Sequence, residues 1–487
     1  MKKNIIKISL AALTAFVSLT SCDRNLDQIS SVNEDQDQAM TRAESFRQAM
    51  DGAYTALKVG GYYSGDTGSQ LIMGDLTTDN LIRTASGRNT NFAASNFEFS
   101  SDNSQTTGLY NTAYLAISRA NFVLKYINNG VLSGAQKANI EAEAKALRAI
   151  VHFDIVRAYS QIPTQSAGAK NSIGIYYSET YSPLNSTSSR NLTVEQVYNK
   201  IIADLLSAAD NITQNDADKG RLSKAAIYGL LSRVYLYKGE YDNTTKYGEL
   251  ALGLSPSITA KDNFFSIWKQ NEGLSKITDG VLFQILNAPA EQNTVGAAYN
   301  QAVPSLRSEF VVDYDLYTAY TDKDVRKTAY FTTSVYSKQK YNHVTKYAGN
   351  GGPSNIVPIK YLRSAEVLLN VAEAYYRSGN QATALTLLNK LRAERYTTFT
   401  PGAEVGQALL DAILKERRLE LAFENDRWYT LKRLGLSVQR SGKGDLFDGT
   451  GAPAVKQTLD AGSTKWQWPI PITAIQANPN IKQNADY

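Results

Sequence analysis

Apolar residues recur at every third or fourth position over most of the chain, which is the spacing of one face of an α-helix. Phe46, Met50 and Tyr54 show this spacing in the first such segment. The pattern predicts helices over 41–58, 107–129, 135–160, 192–210, 222–238, 240–253, 362–378, 380–395 and about 404–433. The hydrophobic pattern therefore predicts an all-α scaffold.

Long segments without helical periodicity separate these helices. Residues 59–105 are rich in Gly, Ser, Thr, Asp and Asn, which predicts a loop with short strands at most. Residues 255–360 are mixed, with Gly, Pro and many tyrosines, and 161–190 and 436–487 are also predicted as loops or tail. Loops this long in a compact body are usually functional, so we expect ligand contacts there.

Two helix pairs match the packing pattern of tetratricopeptide repeats, in which large residues of one helix lie opposite small residues of the next. Gly239 and Gly379 allow the tight turn inside each pair. The pattern positions are Tyr228, Leu231, Tyr235, Gly239, Tyr241, Ala251 and Pro256 in the first pair, and Leu368, Ala372, Tyr375, Gly379 and Ala384 in the second. The pairs lie 140 residues apart, counted from Tyr235 to Tyr375, so they predict units of one scaffold rather than a tandem array.

The N-terminus has the pattern of a bacterial lipoprotein signal. A basic start leads into an apolar run, and Leu-Thr-Ser-Cys ends the segment at Cys22, the one cysteine of the chain. We expect residues 1–21 to be removed, Cys22 to carry a diacylglycerol, and residues 22–40 to form a polar tether. Each buried CH₂ of such an anchor contributes about 0.8 kcal/mol to membrane binding.

Composition excludes several classes of protein. The net charge is +5, and removal of the three lysines before residue 22 leaves 48 basic against 46 acidic residues. This balance gives no basic footprint for nucleic acid. One cysteine excludes an intramolecular disulfide framework and a cysteine-rich zinc site. The two histidines, His152 and His343, are too far apart for a histidine metal motif, so we expect no metal and no cofactor.

The strongest charge cluster lies in the helix predicted over about 404–433. Glu416, Glu420 and Glu424 follow each other at four-residue spacing, with Arg417 and Arg418 beside them. A glycoside hydrolase needs two carboxylates about 5–9.5 Å apart facing a sugar, and this spacing permits such a pair. Ion pairing along the helix explains the cluster with fewer assumptions, so we expect no catalytic residue.

The early loop over 59–103 carries the candidate ligand-binding residues. It mixes carboxylates, side-chain amides and aromatic rings, which sugar sites use for hydroxyl groups and for the apolar side of the ring. A peptide site uses the same groups, and an ordinary surface loop with capping Asp and Asn explains them equally well. The candidates are Tyr62, Tyr63, Asp75, Asp79, Asn80, Arg83, Phe97 and Phe99.

Taken together, motifs from one end of the chain to the other resemble the SusD/RagB family of outer-membrane lipoproteins. The segments that carry the resemblance are the CDRNLD start at 22–27, MGDLTTDN at 73–80, EAKALRAIVHFDIVRAYSQIP at 143–163, GRLSKAAIYGLLSRVYLYKGEYD at 220–242, YLRSAEVLLNVAEAYYRSGN at 361–380, ERRLELAFENDRWYTLKRLG at 416–435 and WPIPITAIQANPNIKQN at 468–484. They occur in the family's order and cover essentially the whole chain.

The resemblance implies a non-enzymatic protein of the outer membrane, facing the cell exterior. Its SusD-like helical body would span 41–487, with an N-terminal part at about 41–215 and a C-terminal SusD/RagB part at about 260–487. Starch-binding relatives use an Asp and an Arg in the early loop, and Asp75 and Arg83 fall in the similar segment. No tryptophan stands in that loop, which departs from the aromatic arc of starch-binding relatives, while Trp428 and Trp468 fall in scaffold motifs and are expected to pack.

The sequence as a whole predicts a lipid-anchored binding protein that captures an oligosaccharide and delivers it to a SusC-like TonB-dependent transporter. The same role for oligopeptides, as in RagB-like members, is one alternative. A tetratricopeptide adaptor that binds only protein is the second.

Overall fold

The computed structural model describes residues 39–65, 67–182, 188–215, 217–268, 279–287, 295–302, 306–347 and 358–487. The signal segment, Cys22 and most of the tether therefore lie outside the described residues. The helices are α1 (Ala43–Ala56), α2 (Gln70–Leu76), α3 (Phe92–Ser95), α4 (Ser104–Tyr126), α5 (Gly134–Tyr159), α6 (Val194–Asn211), α7 (Lys224–Lys238), α8 (Tyr241–Leu254), α9 (Lys261–Trp268), α10 (Val295–Tyr299), α11 (Tyr314–Ala319), α12 (Val325–Tyr330), α13 (Ser364–Arg377), α14 (Gln381–Ala393), α15 (Gln407–Glu420), α16 (Arg427–Arg433) and α17 (Ile472–Ala477).

The long helices follow the predicted hydrophobic pattern and pack on one another in chain order. Helix α4 packs on α5, α5 on α6, and α7 on α8, while α8 also contacts α13, which pairs with α14. Ser223 caps the start of α7, and Gly239 ends it at a φ of 78°. Gly248 of α8 lies against Ser232 and Val371 and leaves no room for a Cβ. Gly248 thus allows α8 to approach both α7 and α13 closely. The tetratricopeptide interpretation of the two helix pairs stays a prediction.

The protein also contains strands, which corrects the all-α expectation. The strands are β1 (Leu81–Arg83), β2 (Val281–Ile285), β3 (Gln301–Ala302), β4 (Leu306–Arg307), β5 (Phe310–Val312), β6 (Phe331–Tyr336), β7 (Gln339–Val344), β8 (Ile359–Arg363), β9 (Val438–Gln439) and β10 (Thr458–Leu459). Four of them form an antiparallel sheet in the order β1-β5-β7-β6, and β2-β8, β3-β4 and β9-β10 pair separately. Ser337 and Lys338, both at positive φ, make the two-residue turn of the β6–β7 hairpin.

The helix predicted over about 404–433 is two helices. Helix α15 ends at Glu420 and α16 begins at Arg427. Phe423 and Asn425 between them adopt left-handed conformations, with φ values of 67° and 62°. Such values interrupt a right-handed helix, because an L-residue with positive φ cannot continue its hydrogen-bonding pattern.

Aromatic residues fill the core as expected for the scaffold motifs. Trp428 and Trp468 are buried, which confirms their predicted packing, and the ring centroids of Trp428 and Trp466 lie 4.3 Å apart. One continuous hydrophobic cluster runs from Met40 to Ile481 and joins the two halves of the chain. Within the part of the chain that the structure describes, no helix combines the length and apolarity that a membrane span requires.

A buried network of ion pairs holds α15 in place. The Glu420 carboxylate lies 2.7 Å from Arg395 Nε, 2.7 Å from Arg363 Nη1 and 3.2 Å from Arg326 Nη1. Glu416, one turn earlier, lies 2.7 Å from Arg326 Nη2. Burial alone would raise the pKa of Glu420, but the surrounding guanidinium groups hold it well below its usual range. These glutamates are ion-paired, but the expectation of pairing along the helix is wrong, because their partners come from other elements and Arg417 and Arg418 pair with Asp426 and Asp79 instead.

Substitution of Glu420 by Gln should lower the free energy of unfolding by about 3–5 kcal/mol, because three buried arginines lose a shared counter-charge. Chemical denaturation measures the loss. Glu404→Gln is the matched control, since Glu404 pairs with Arg392 at 2.8 Å but its side chain is 28% exposed, and its loss should stay below about 1 kcal/mol. Equal losses for the two variants would contradict the role given to the buried network.

Candidate ligand-binding site

The early loop is anchored inside the protein by Asp75, which lies in α2. Its carboxylate accepts hydrogen bonds from Asn80 Nδ2 at 2.7 Å and from the backbone N–H groups of Phe423 and Asn425 at 3.0 and 3.3 Å. Burial raises the pKa of Asp75 to about 6, against the opposing effect of these donors. Asp75 therefore binds the break between α15 and α16 and is not exposed to a ligand.

Asp79 and Asn80 make the second connection between the early loop and the same helices. The Asp79 carboxylate accepts from Arg427 Nε and Nη2 at 2.8 and 2.7 Å, and Arg418 Nη2 lies 3.2 Å away. Asn80 Oδ1 accepts from Arg418 Nε at 2.8 Å. Burial acts to raise the pKa of Asp79, but Arg427 and Arg418 bring it below its usual value.

The aromatic candidates of this loop also pack inward. Tyr62 and Tyr63 donate their hydroxyl groups to the buried Asp154 carboxylate at 2.6 and 3.1 Å. The Phe99 ring meets the Trp428 ring edge-on, with 6.4 Å between their centroids. The centroid of the Phe97 ring lies 4.8 Å from the guanidinium carbon of Arg440.

Seven of the eight candidate residues are therefore buried, and direct contact of any of them with a ligand stays a prediction. The physical reason for their burial is that each has a packing or hydrogen-bonding partner inside the protein, in several cases from a segment more than 300 residues away. The seven are Tyr62, Tyr63, Asp75, Asp79, Asn80, Phe97 and Phe99. Arg83 differs, since it is half-buried and lines a cleft.

This cleft lies between strand β1, the end of α3 and the loop over 452–455, and its volume is about 130 Å³. The guanidinium carbon of Arg83 lies 4.8 Å from the centroid of the Phe92 ring. The same guanidinium group donates a hydrogen bond to Asn89 Oδ1. The lining residues are Leu76, Leu81, Ile82, Arg83, Ala85, Ser95, Asn96, Arg440, Ala452, Pro453, Ala454 and Val455. The cleft combines a cation with apolar walls.

Asn96 supplies an unused hydrogen-bond donor in the cleft wall. The residue is 5% exposed, and its side-chain Nδ2 has no hydrogen-bond partner among the described residues. An unpaired buried amide is costly, by about 1–3 kcal/mol, unless water or a ligand satisfies it. The half-buried Arg83 guanidinium is a donor that lines the cleft, and Asn96 Nδ2 is an unpaired donor buried in its wall.

Arg440 holds the two sides of the cleft together. It donates to the carbonyl oxygens of Leu76, Thr78 and Ser95 on one side and of Lys456 on the other, at 2.6–3.0 Å. Burial lowers the pKa of Arg440 to about 10. Asp445 completes the frame by accepting from the N–H groups of Ala85 and Ala452, at 2.8 and 2.9 Å.

A larger groove of about 750 Å³ lies along α8 and the end of α13. It is mostly apolar, with Leu250 and Leu254 exposed, and its Tyr375 and Glu249 side chains hydrogen-bond to each other. The smaller cleft is the better candidate for a polar ligand, because it holds a buried donor without a partner.

Sequence reasoning missed Asn96, Arg440 and the loop over 452–455. Asn96 belongs to the early loop that the composition singled out, so the polar composition of that loop could have indicated it. Arg440 and residues 452–455 stand in the predicted tail more than 340 positions further along the chain, and nothing in their local pattern indicates a contact with β1.

The sequence similarity to known proteins extends over most of the chain. Residues 31–236 match a family model described as starch-binding associating with outer membrane, and residues 286–487 match the SusD family model. The SusD-like protein P2 of Formosa agariphila is 26% identical, over 90% of this chain and 91% of that protein. A SusD-like protein of Bacteroides ovatus is 24% identical over 69% of this chain and 66% of its own length.

Solved structures show the same architecture. A putative sugar binding protein from Bacteroides vulgatus has a TM-score of 0.79 and 26% identity, covering 92% of this chain and 99% of its own. A SusD superfamily protein from Bacteroides thetaiotaomicron has a TM-score of 0.76 and 23% identity, covering 91% and 99%. This chain belongs to the SusD/RagB family.

Asp75→Ala should destabilise the protein strongly, whereas Arg83→Ala should leave its stability almost unchanged. Asp75→Ala should lower the free energy of unfolding by at least about 2 kcal/mol, since it leaves two buried backbone N–H groups and one amide without an acceptor. Arg83→Ala should change it by no more than about 0.5 kcal/mol, because Arg83 is half-buried and only bonds the exposed Asn89. Chemical denaturation of both variants measures the difference, and an unaffected Asp75→Ala protein would contradict the structural role of that carboxylate.

Proposed function

We propose that this protein binds an oligosaccharide in the cleft at Arg83 and Asn96 and delivers it to a SusC-like TonB-dependent transporter. The observation that carries the proposal is the unpaired, buried Asn96 amide in the same cleft wall as the Arg83 guanidinium. The family model over 31–236, whose description names starch binding and the outer membrane, supports it. So does the similarity to a Bacteroides vulgatus structure described as a putative sugar binding protein.

Binding without catalysis is part of the proposal. Among the described residues that line the cleft there is no carboxylic acid, whereas glycoside hydrolysis uses a pair of carboxyl groups. Glu416 and Glu420, the candidates for a helix-based glycosidase, are buried in ion pairs with Arg326, Arg363 and Arg395. The arginines hold the pKa of Glu420 well below its usual range, so its carboxylate remains ionised and cannot serve as a general acid.

Isothermal titration calorimetry with panels of oligosaccharides and oligopeptides tests the ligand class. We expect an oligosaccharide to bind, and Asn96→Ala to weaken its binding by about three- to tenfold, the contribution of one hydrogen bond. Asn211→Ala is the matched control, since its side chain donates only to Ser207 O at the exposed end of α6. Binding of peptides alone would favour the RagB-like alternative, and binding of neither class would contradict the proposed capture role.

We also propose that a diacylglycerol on Cys22 anchors the protein at the outer membrane, facing the exterior. The signal-like start and the position of this one cysteine support the anchor. Cys22→Ala should shift the protein from the membrane fraction to the soluble fraction after cell fractionation. Protease treatment of intact cells measures exposure of the wild-type chain to the outside. A Cys22→Ala protein that stayed membrane-bound through an alkaline wash would contradict lipid anchoring.

A further inference from the structure

The cleft at Arg83 is small for a site that binds an oligosaccharide. Its volume of about 130 Å³ lies well below the roughly 300–1,000 Å³ of sites that enclose a whole small molecule. The cleft therefore accommodates one substituent or one edge of an oligosaccharide, while the rest of the sugar chain stays outside it.

Aliphatic side chains make most of the cleft wall. Leu81 and Ile82 of β1 are buried, whereas Val455 in the loop over 452–455 is 65% exposed. The other aliphatic lining residues are Leu76, Ala85, Ala452, Pro453 and Ala454. Hydroxyl groups buried against such walls would lose their hydrogen bonds to water, which is costly, whereas an apolar group gains from the same burial. The walls therefore favour an apolar substituent over the hydroxyl groups of a plain sugar.

The polar groups of the cleft are mainly hydrogen-bond donors. Among the described residues, the guanidinium group of Arg83 has Asn89 as its only hydrogen-bond acceptor, so most of its N–H groups remain available. Asn96 Nδ2 is a further unpaired donor in the wall, and no carboxylate belongs to the described residues that line the cleft. A sugar hydroxyl both donates and accepts, whereas these groups suit a substituent that only accepts.

An acetyl group matches this combination, because it joins a methyl group to a carbonyl oxygen that accepts hydrogen bonds. A carboxylate or sulfate group would also accept from Arg83, but burial of its charge against aliphatic walls is costly. We propose that the cleft takes an acetyl substituent of an oligosaccharide, attached through nitrogen or oxygen. Its methyl group lies against Ile82 and Val455, and its carbonyl oxygen accepts from Arg83. This inference rests on the proposed oligosaccharide-binding function.

Calorimetry on the mature protein tests the acetyl group with two matched pairs of probes. Chitotetraose and cellotetraose share one glucan backbone and differ in the group at the second carbon of each sugar, which is an N-acetyl group or a hydroxyl group. Acetylated xylo-oligosaccharides and the same material after alkaline removal of the esters form the O-linked pair. We expect the acetylated member of at least one pair to bind about tenfold more tightly than its partner, since it gains burial of a methyl group and a hydrogen bond.

Val455→Asp should remove this preference, because it places a carboxylate in the aliphatic wall of the cleft. Val405→Asp is the matched control and should keep the preference, since Val405 is 71% exposed, precedes α15 and does not line the cleft. Arg83→Met keeps the apolar stem but removes the donors, and it should weaken binding of the acetylated probe by about fivefold. Circular dichroism verifies the fold of each variant.

The outcomes separate this inference from the proposed function. Equal binding within both pairs, tighter binding of the unacetylated members, or binding of other glycans without either acetylated probe would overturn the acetyl inference and leave oligosaccharide binding in place. A preference that survives Val455→Asp unchanged would also overturn it, because the acetyl group would then bind outside this cleft. Binding of no oligosaccharide at all would overturn both.

Discussion

The buried ion pairs of Glu420 set the position of helix α15, and most of the architecture follows from them. Three arginines from separate segments meet this one carboxylate: Arg326 from α12, Arg363 from the end of β8 and Arg395 beyond α14. Separation of such buried charges is strongly unfavourable, so each segment is held in one arrangement relative to α15. The network thereby links α12, β8 and the α13–α14 helix pair to α15. Hydrophobic packing alone would hold these elements less specifically.

The candidate site is built on this frame. Helix α15 carries Arg418, which donates hydrogen bonds to Asp79 and Asn80 of the early loop. The break after α15 presents two backbone N–H groups, and Asp75 accepts a hydrogen bond from each of them. Arg440 then joins the early loop to the C-terminal loop through backbone carbonyls. The buried polar residues of the early loop therefore act chiefly as internal connections, and Arg83 is the candidate among them that stays half-buried and lines the cleft.

The cleft that carries the proposed function presents few polar groups. The half-buried Arg83 lies beside the Phe92 ring, and the buried Asn96 amide in the cleft wall has no partner among the described residues. The cleft forms only where strand β1, the end of α3 and the loop over 452–455 come together.

The sequence alone determined the long helices before residue 404, the family and the packing of Trp428 and Trp468, because helical periodicity and scaffold motifs are local patterns. It did not predict the short helices within 59–105, 255–360 and 436–487. The spacing of Glu416 and Glu420 indicated ion pairing along the helix, but their partners lie in other elements. Only the tertiary structure decided which arginines pair with them and that the helix over 404–433 breaks at Phe423. It likewise decided that Asp75 is buried while Asn96 lines a cleft, because burial depends on contacts across more than 300 residues of chain. A local pattern cannot encode which distant backbone groups will meet a given carboxylate.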